Sequence, residues 1–215
     1  MELLFIIAIS LIAGIMWVWF FYSQDVFEKE PKLLLAKTFI SGAIAVIPAF
    51  IFEYKFRNLL NSEATLLTRI WVAFVIVGLG EELFKFGALY FSAYRTREMN
   101  EVMDGIVYCV TAALGFSVVE NVLYAVTYGI EVGLIRLIIA SLAHASFTGL
   151  MGFFVGQGRV LTGIVVASFL HGLYDFILLE ELFSPFIAIV LVFVLYGILR
   201  YVISLALKES PFRSN

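Results

Sequence analysis

Gly78-Leu79-Gly80-Glu81-Glu82-Leu83-Phe84-Lys85 places two adjacent carboxylates and an ammonium inside an otherwise apolar run from about Ile70 to Tyr94. A run of that length can cross a bilayer, which takes roughly 20 apolar residues. An ionisable group at such depth costs at least ~2.5 kcal/mol, so charges kept there face a polar cavity and have a function. Glu81 and Lys85 are four residues apart and can pair on one helix face. Glu82 points about 100° away on a helix of 3.6 residues per turn, so it needs a partner from elsewhere.

The rest of the chain has the same character. Of its 215 residues 62% are hydrophobic and 14% charged, with a mean hydropathy of +1.02. Soluble domains are about 45–50% apolar, so the excess predicts an all-α, polytopic transmembrane helical bundle. The length suits one integral membrane domain, 1–215, without room for a sizeable soluble one. A net charge of -3 and the lack of a basic block argue against nucleic acid as a partner. The single cysteine, Cys109, has no internal disulfide partner and reads as a small packing residue. The first apolar run shows no small-residue cleavage site and reads as a retained anchor.

Seven spans are predicted, near 3–22, 36–54, 70–94, 104–128, 134–156, 160–180 and 186–206. Pro31 and Pro185 lie just before or at helix starts, where the missing N–H costs little. Pro48 lies mid-span and predicts a kink. With the N-terminus outside, the inner segments carry Lys29, Lys32, Lys37, Arg95, Arg97, Arg159, Arg200, Lys208 and Arg213. The outer segments carry only Lys55, Arg57, Arg69 and Arg136. The positive-inside rule therefore favours N-out and C-in.

Four spans hold ionisable residues away from their ends: Glu81, Glu82 and Lys85; Glu120, followed by Asn121; His144; and His171 with Asp175. Counted from the outer ends of their spans, Glu81, Glu120, His144 and His171 all lie on the order of 12–17 Å deep at 1.5 Å per residue. Four helices, approximately 70–180, thus deliver polar groups to one layer, the expected geometry of a site in a helical bundle. Such a set suits hydrolysis. Glu81 and Glu82 can prepare a water, with Glu82 favoured as base because Glu81 has Lys85 to neutralise it. His144 and His171 can stabilise an oxyanion, and Asp175, four residues after His171, can orient that imidazole. Lys85, Glu120 and Asn121 support the set.

Two other readings use the same residues. Glu82, Glu120, His144 and His171 are ligand types that a divalent metal such as zinc accepts. A transporter or ion-binding protein could use the layer for protons or cations, although the matching half-repeats expected of one are absent from the sequence. Outside the layer, Asp104 with Gly105 reads as a helix cap, Phe116 as packing, and Tyr124 as a hydrogen-bonding neighbour of the site. Arg136, Glu131, Glu180 and Glu181 read as interface charges.

Several motifs together resemble a known family. They are Glu-Glu-Leu-Phe-Lys (81–85), Asp-Gly-Ile-Val-Tyr (104–108), Gly-Phe-Ser-Val-Val-Glu-Asn (115–121), the span around His144, and His-Gly-Leu-Tyr-Asp-Phe (171–176). With the Asp-x-x-x-x-Glu-Pro element from Asp25 to Pro31, they look like the PrsW family of bacterial intramembrane proteases. The resemblance covers nearly the whole chain. It implies a multi-pass protein of the bacterial cell membrane that cuts a membrane-spanning anti-sigma factor at its extracytoplasmic side, the first cut in a stress response. The family is similar in turn to type II CAAX-prenyl proteases, whose Glu-Glu motif ends in Arg where this chain has Lys85, and whose second motif ends in His where it has Glu120. That wider likeness implies Glu81 and Glu82 as water-activating or site-organising groups and His171 as an active-site residue. It does not imply a prenylated substrate.

Overall fold

The computed structural model describes residues 2–61, 63–180 and 183–213. All regular structure among them is helical. The order is α1 (Glu2–Tyr22), α2 (Lys32–Tyr54), a short 3-10 turn (Arg57–Leu59), α3 (Leu66–Trp71), α4 (Gly80–Leu89), α5 (Val102–Tyr128), α6 (Ile130–Arg136), α7 (Ile139–Gly156), α8 (Val160–Leu179) and α9 (Pro185–Glu209). A π-helical stretch, Val72–Leu79, joins α3 to α4, and a second, Tyr90–Tyr94, follows α4. Residues 66–94 are thus one rod, and α6 with α7 makes another broken at Leu137 and Ile138, so the described residues form seven rods.

The spans read from hydropathy match these rods, with starts shifted by up to four residues. The rod at 66 begins early because Thr65 caps it, its hydroxyl accepting the Thr68 amide at 3.2 Å. Pro31 stands at the N-cap of α2, and Pro185 opens α9. Pro48 is carried inside α2. Glu181 lies outside the described residues.

Packing follows from side-chain size. Helix α5 is buried over most of its length, with α7 against it and the other rods around the pair. An element apolar all round belongs in such a centre. Between helices in lipid, close approach of backbones replaces the hydrophobic drive available in water. A methyl placed on Gly105 of α5 would lie 2.7 Å from the Gly156 amide nitrogen of α7. A methyl on Gly78 would lie 2.6 Å from the Ser168 carbonyl oxygen of α8. On the outside, α1, α2 and α9 present large apolar side chains such as Leu4, Trp19, Ile44, Phe50 and Phe193. That surface suits acyl chains.

The π-helical stretch Val72–Leu79 runs directly into Glu81 and Glu82. Its i→i+5 bonding widens each turn, a feature frequent at functional sites. Both glutamates are buried even though they are sequence neighbours.

Gly152→Val forces α7 away from the Gly105 carbonyl and the Ile106 backbone on α5, and it destabilises the protein by about 1–3 kcal/mol. Gly197→Val, whose added side chain meets open space, leaves stability unchanged. Thermal unfolding in detergent micelles distinguishes the two.

Candidate active site

Lys85 is the centre of the polar layer. Its side chain is wholly buried, and its Nζ lies 3.0 Å from Glu81 Oε2, 2.8 Å from Glu82 Oε1 and 2.8 Å from His144 Nδ1. The ammonium also stands 4.6 Å from the centre of the Phe116 ring, so Phe116 packs and polarises at once. Spacing alone left Glu82 without a partner on its own helix. The lysine stem is long enough to serve positions i−3 and i−4 together, and its single charge is shared between both glutamates.

Glu82 is saturated. Beyond Lys85 it accepts the Thr148 hydroxyl at 2.8 Å and the His171 Nδ1–H at 3.0 Å. No part of it is exposed. Glu81 is bonded to Lys85 through Oε2, while Oε1 makes no hydrogen bond among the described residues. Glu81 also lines the cavity described below, and Glu82 does not.

His144 links two halves of the layer. Its Nδ1 accepts from the Lys85 ammonium, so Nε2 carries the proton and donates to Glu120 Oε2 at 2.8 Å. Glu120 Oε1 in turn meets Arg136 Nη2 at 2.9 Å. Arg136 Nε donates to Asn121 Oδ1 at 3.1 Å, and the Asn121 amide donates to Ser117 and Ser141. Arg136 is therefore part of the site network rather than an interface charge. The break between α6 and α7 brings it there. Tyr124 stacks on the Arg136 guanidinium at 3.6 Å and makes a cation–π contact in place of the expected hydrogen bond. Glu180 pairs with Arg69 at 3.4 Å, and Glu131 is exposed on α6.

His171 is held by its bond to Glu82 and by the Phe147 ring stacked on it, centroids 5.0 Å apart. Asp175 Oδ2 lies 3.3 Å from His171 Nε2 but lacks hydrogen-bond geometry. Its action on the imidazole is through charge. Glu81 Oε2 lies 3.7 Å from the same nitrogen.

These groups share a cavity of about 540 Å³, walled by Glu81, Glu120, His144, His171, Asp175, Arg136 and apolar side chains of α2 and α5. It extends to the bundle end marked by Leu60, Tyr128 and Leu179. Glu53 of α2 lines it too. Sequence reading missed Glu53, which looked like a helix-end charge, and Thr148, a hydroxyl lost among the small residues of α7. Their only signal is helical register relative to residues that spacing within one helix cannot reach.

By donor type the layer suits a metal. Glu81, His144 and His171 each offer one donor atom, the three within 4.8 Å of one another, and two imidazoles with a carboxylate are a zinc set. Each histidine backs onto a carboxylate, Glu120 or Glu82, as ligating histidines do. Glu82 and Glu120, read from the sequence as candidate ligands, therefore stand behind the histidines, and Glu81 takes the donor position. The place among the donors is already filled. The Lys85 ammonium bonds Glu81 Oε2 and His144 Nδ1, leaving His144 without a free nitrogen. In this arrangement the site does not fit a metal beside the lysine.

A carboxylate–imidazole cluster on a cavity inside a transmembrane bundle has the groups a membrane-embedded hydrolase needs. Comparison with known proteins agrees. The family described as PrsW family intramembrane metalloprotease matches residues 30–200. Protease PrsW of Geobacillus kaustophilus (strain HTA426) is 30% identical, over 82% of this chain and 80% of that protein. Protease PrsW of Shouchella clausii (strain KSM-K16) is 33% identical over 73% and 75%, and that of Bacillus subtilis (strain 168) is 32% identical over 80% and 82%. No solved structure matches. The chain belongs to the PrsW family of intramembrane proteases, and it is a multi-pass membrane protein.

Lys85→Met leaves two buried carboxylates without their counter-charge and destabilises the protein by about 3–5 kcal/mol. Adding Glu82→Gln to Lys85→Met recovers part of that loss, which a double-mutant cycle from unfolding in mixed micelles reads directly.

Proposed function

We propose that this protease cuts a peptide bond of a membrane-spanning protein, an anti-sigma factor, at the extracytoplasmic side. The observation that carries the reading is that Glu81 and His171 meet on one cavity wall, with one Glu81 oxygen unbonded and the His171 Nε2 turned to the same side.

The chemistry is written on the chain's own groups. A water between Glu81 and His171 loses a proton to Glu81 Oε1, and its oxygen attacks the peptide carbonyl carbon. The resulting oxyanion is stabilised by the imidazole N–H of His171 in its protonated form, in a site screened from bulk water where such interactions are strong. Glu81 then returns the proton to the amide nitrogen, the C–N bond breaks, and amine and carboxylic acid leave. Glu82 is a positioning residue. It fixes His171 through Nδ1 and anchors Lys85, whose charge lies beside the reacting groups. His144 and Glu120 tie Lys85 to Arg136. Base duty thus moves from Glu82, the choice favoured by spacing, to the glutamate that faces the cavity. A divalent metal, were Lys85 displaced, would be held by Glu81, His144 and His171 and would polarise a water there.

Direction follows from charge. With N-out topology the cavity mouth at Leu60, Tyr128 and Leu179 faces the outside, which supports a cut near the outer end of a substrate span. The apolar walls, including Val46, Ala49 and Phe50, suit an uncoiled segment of such a span.

Glu81→Gln and His171→Ala each lower cleavage by about 10²–10⁴-fold while the protein stays folded in the membrane. Glu82→Ala abolishes cleavage by releasing His171. The assay is turnover of a membrane-spanning reporter in liposomes, and turnover at the wild-type rate by any of the three removes that residue's role. Active wild-type protein is expected to keep cleaving in chelator and to carry no stoichiometric metal in the active site. A chelator-sensitive zinc that is lost in Glu81→Gln would replace the lysine-filled arrangement with a metal-held one.

A further inference from the structure

A second group of buried acids lies at the opposite end of the bundle, in motifs that the proteolytic site does not use. Asp25 and Glu30 belong to the connector between α1 and α2, and Glu101 and Asp104 to the start of α5. Asp104 is sixteen residues before Glu120 on α5, about 24 Å along the helix axis at 1.5 Å per residue. The two groups are therefore separate.

Asp25, Glu101 and Asp104 each offer an oxygen within 4.8 Å of the others, and all three side chains are buried. The backbone presets two of them. Asp104 Oδ2 accepts the amides of Asn100 and Glu101, both at 2.7 Å, and Asp25 Oδ1 accepts the Phe27 amide at 3.0 Å. The Asp104 cap expected from the sequence is therefore present. Asp25 Oδ2 is left with no hydrogen-bond partner, while the Glu101 carboxylate closes a reciprocal capping box with the start of α5.

Glu30 is an independent sign. It is only 4% exposed, neither of its oxygens has a partner, and the charges of Asp25 and Asp104 bear on it. Tyr108, one turn beyond Asp104 on the same face of α5, buries its hydroxyl without a partner as well.

The one basic side chain whose charge bears on Asp25 and Glu30, Lys29, does so without a direct bond to either carboxylate. Among the described residues, no lysine or arginine forms an ion pair with any of these four carboxylates. Lys29 lies nearby but spends its ammonium on the carbonyl oxygens of Tyr22 and Asp25 and on the face of the Tyr22 ring. Unpaired carboxylates massed out of water are strongly unfavourable, and a bound cation is one of the few ways to keep them ionised. Oxygen donors alone, without nitrogen or sulfur, select a hard ion.

We infer that Asp25, Glu30, Glu101 and Asp104 form a site for a hard divalent cation, Ca²⁺ or Mg²⁺, that ties the α1–α2 connector to the start of α5. Tyr108 stands beside it. The role is to clamp the end of the bundle away from the proteolytic cavity. The site is distinct from the donors around Lys85 and does not depend on the proposed mechanism.

The test uses the full-length protein in detergent, stripped of metals and carrying Glu81→Gln so that the proteolytic cluster cannot contribute. Calorimetric titration with CaCl₂ and, separately, MgCl₂ should show one saturable ion per chain for at least one of them. Saturation should raise the melting temperature, since the ion binds the folded state. Asp25→Asn combined with Glu101→Gln should weaken binding at least about tenfold, because affinity follows ligand charge. Should that variant fail to fold, Tb³⁺ luminescence on the parent protein decides. Tyrosine-sensitised emission should appear, be competed by the preferred ion, and fall in Tyr108→Phe at unchanged affinity. No saturable binding of Ca²⁺, Mg²⁺ or Tb³⁺, or equal affinity in a folded Asp25→Asn/Glu101→Gln protein, would overturn the site and leave a proton-sharing acid cluster.

Discussion

A single ammonium that cannot reach water governs this molecule. Lys85 is fully enclosed within a bundle of apolar helices, where an unpaired charge is prohibitive. It is tolerable only because two carboxylates and an imidazole meet it at once. Each of those groups then demands satisfaction in turn: Glu82 takes His171 and Thr148, and His144 takes Glu120, which takes Arg136. The obligation to leave no buried charge alone thus recruits the rod, α5, α6, α7 and α8 into one arrangement. The arrangement around the cavity is a by-product of solving that electrostatic problem, and it leaves Glu81 with one oxygen unbonded.

The surrounding helices make this possible by being thin where they meet. Small residues on α5, α7 and α8 let backbones come together, so short polar side chains can bridge between helices. Thr148 reaches Glu82 and Asn121 reaches both Ser117 and Ser141 for that reason. Bulkier contacts would have left those groups stranded in hydrocarbon.

Much of this was open to reading in the amino-acid order. Spans showed themselves because hydrocarbon demands long apolar runs, and the seven runs match seven rods. The polar layer showed itself because ionisable residues at that depth are rare, and counting 1.5 Å per residue aligned them. What spacing could not deliver was any bond between helices. It paired Lys85 with Glu81 alone, put Arg136 at the surface, and favoured as base the glutamate that turned out to be enclosed. Arg136 read as an interface charge because the break after α6 is not marked by proline. The grouping of the acids at the far end escaped notice for another reason. Asp25 and Glu30 sit in a charged connector, where carboxylates are ordinary until the fold buries them.

The widened turns of Val72–Leu79 carry a consequence of their own. An i→i+5 ladder holds one more residue per turn than its neighbours, so this stretch stores slack in the chain. Its apolar side chains can be exchanged for others of similar volume with little effect on where Glu81 points. Losing one residue is a different matter: the ladder would close to ordinary helix, and the room it leaves beside the acidic pair would go with it. In this rod the number of letters matters more than their spelling.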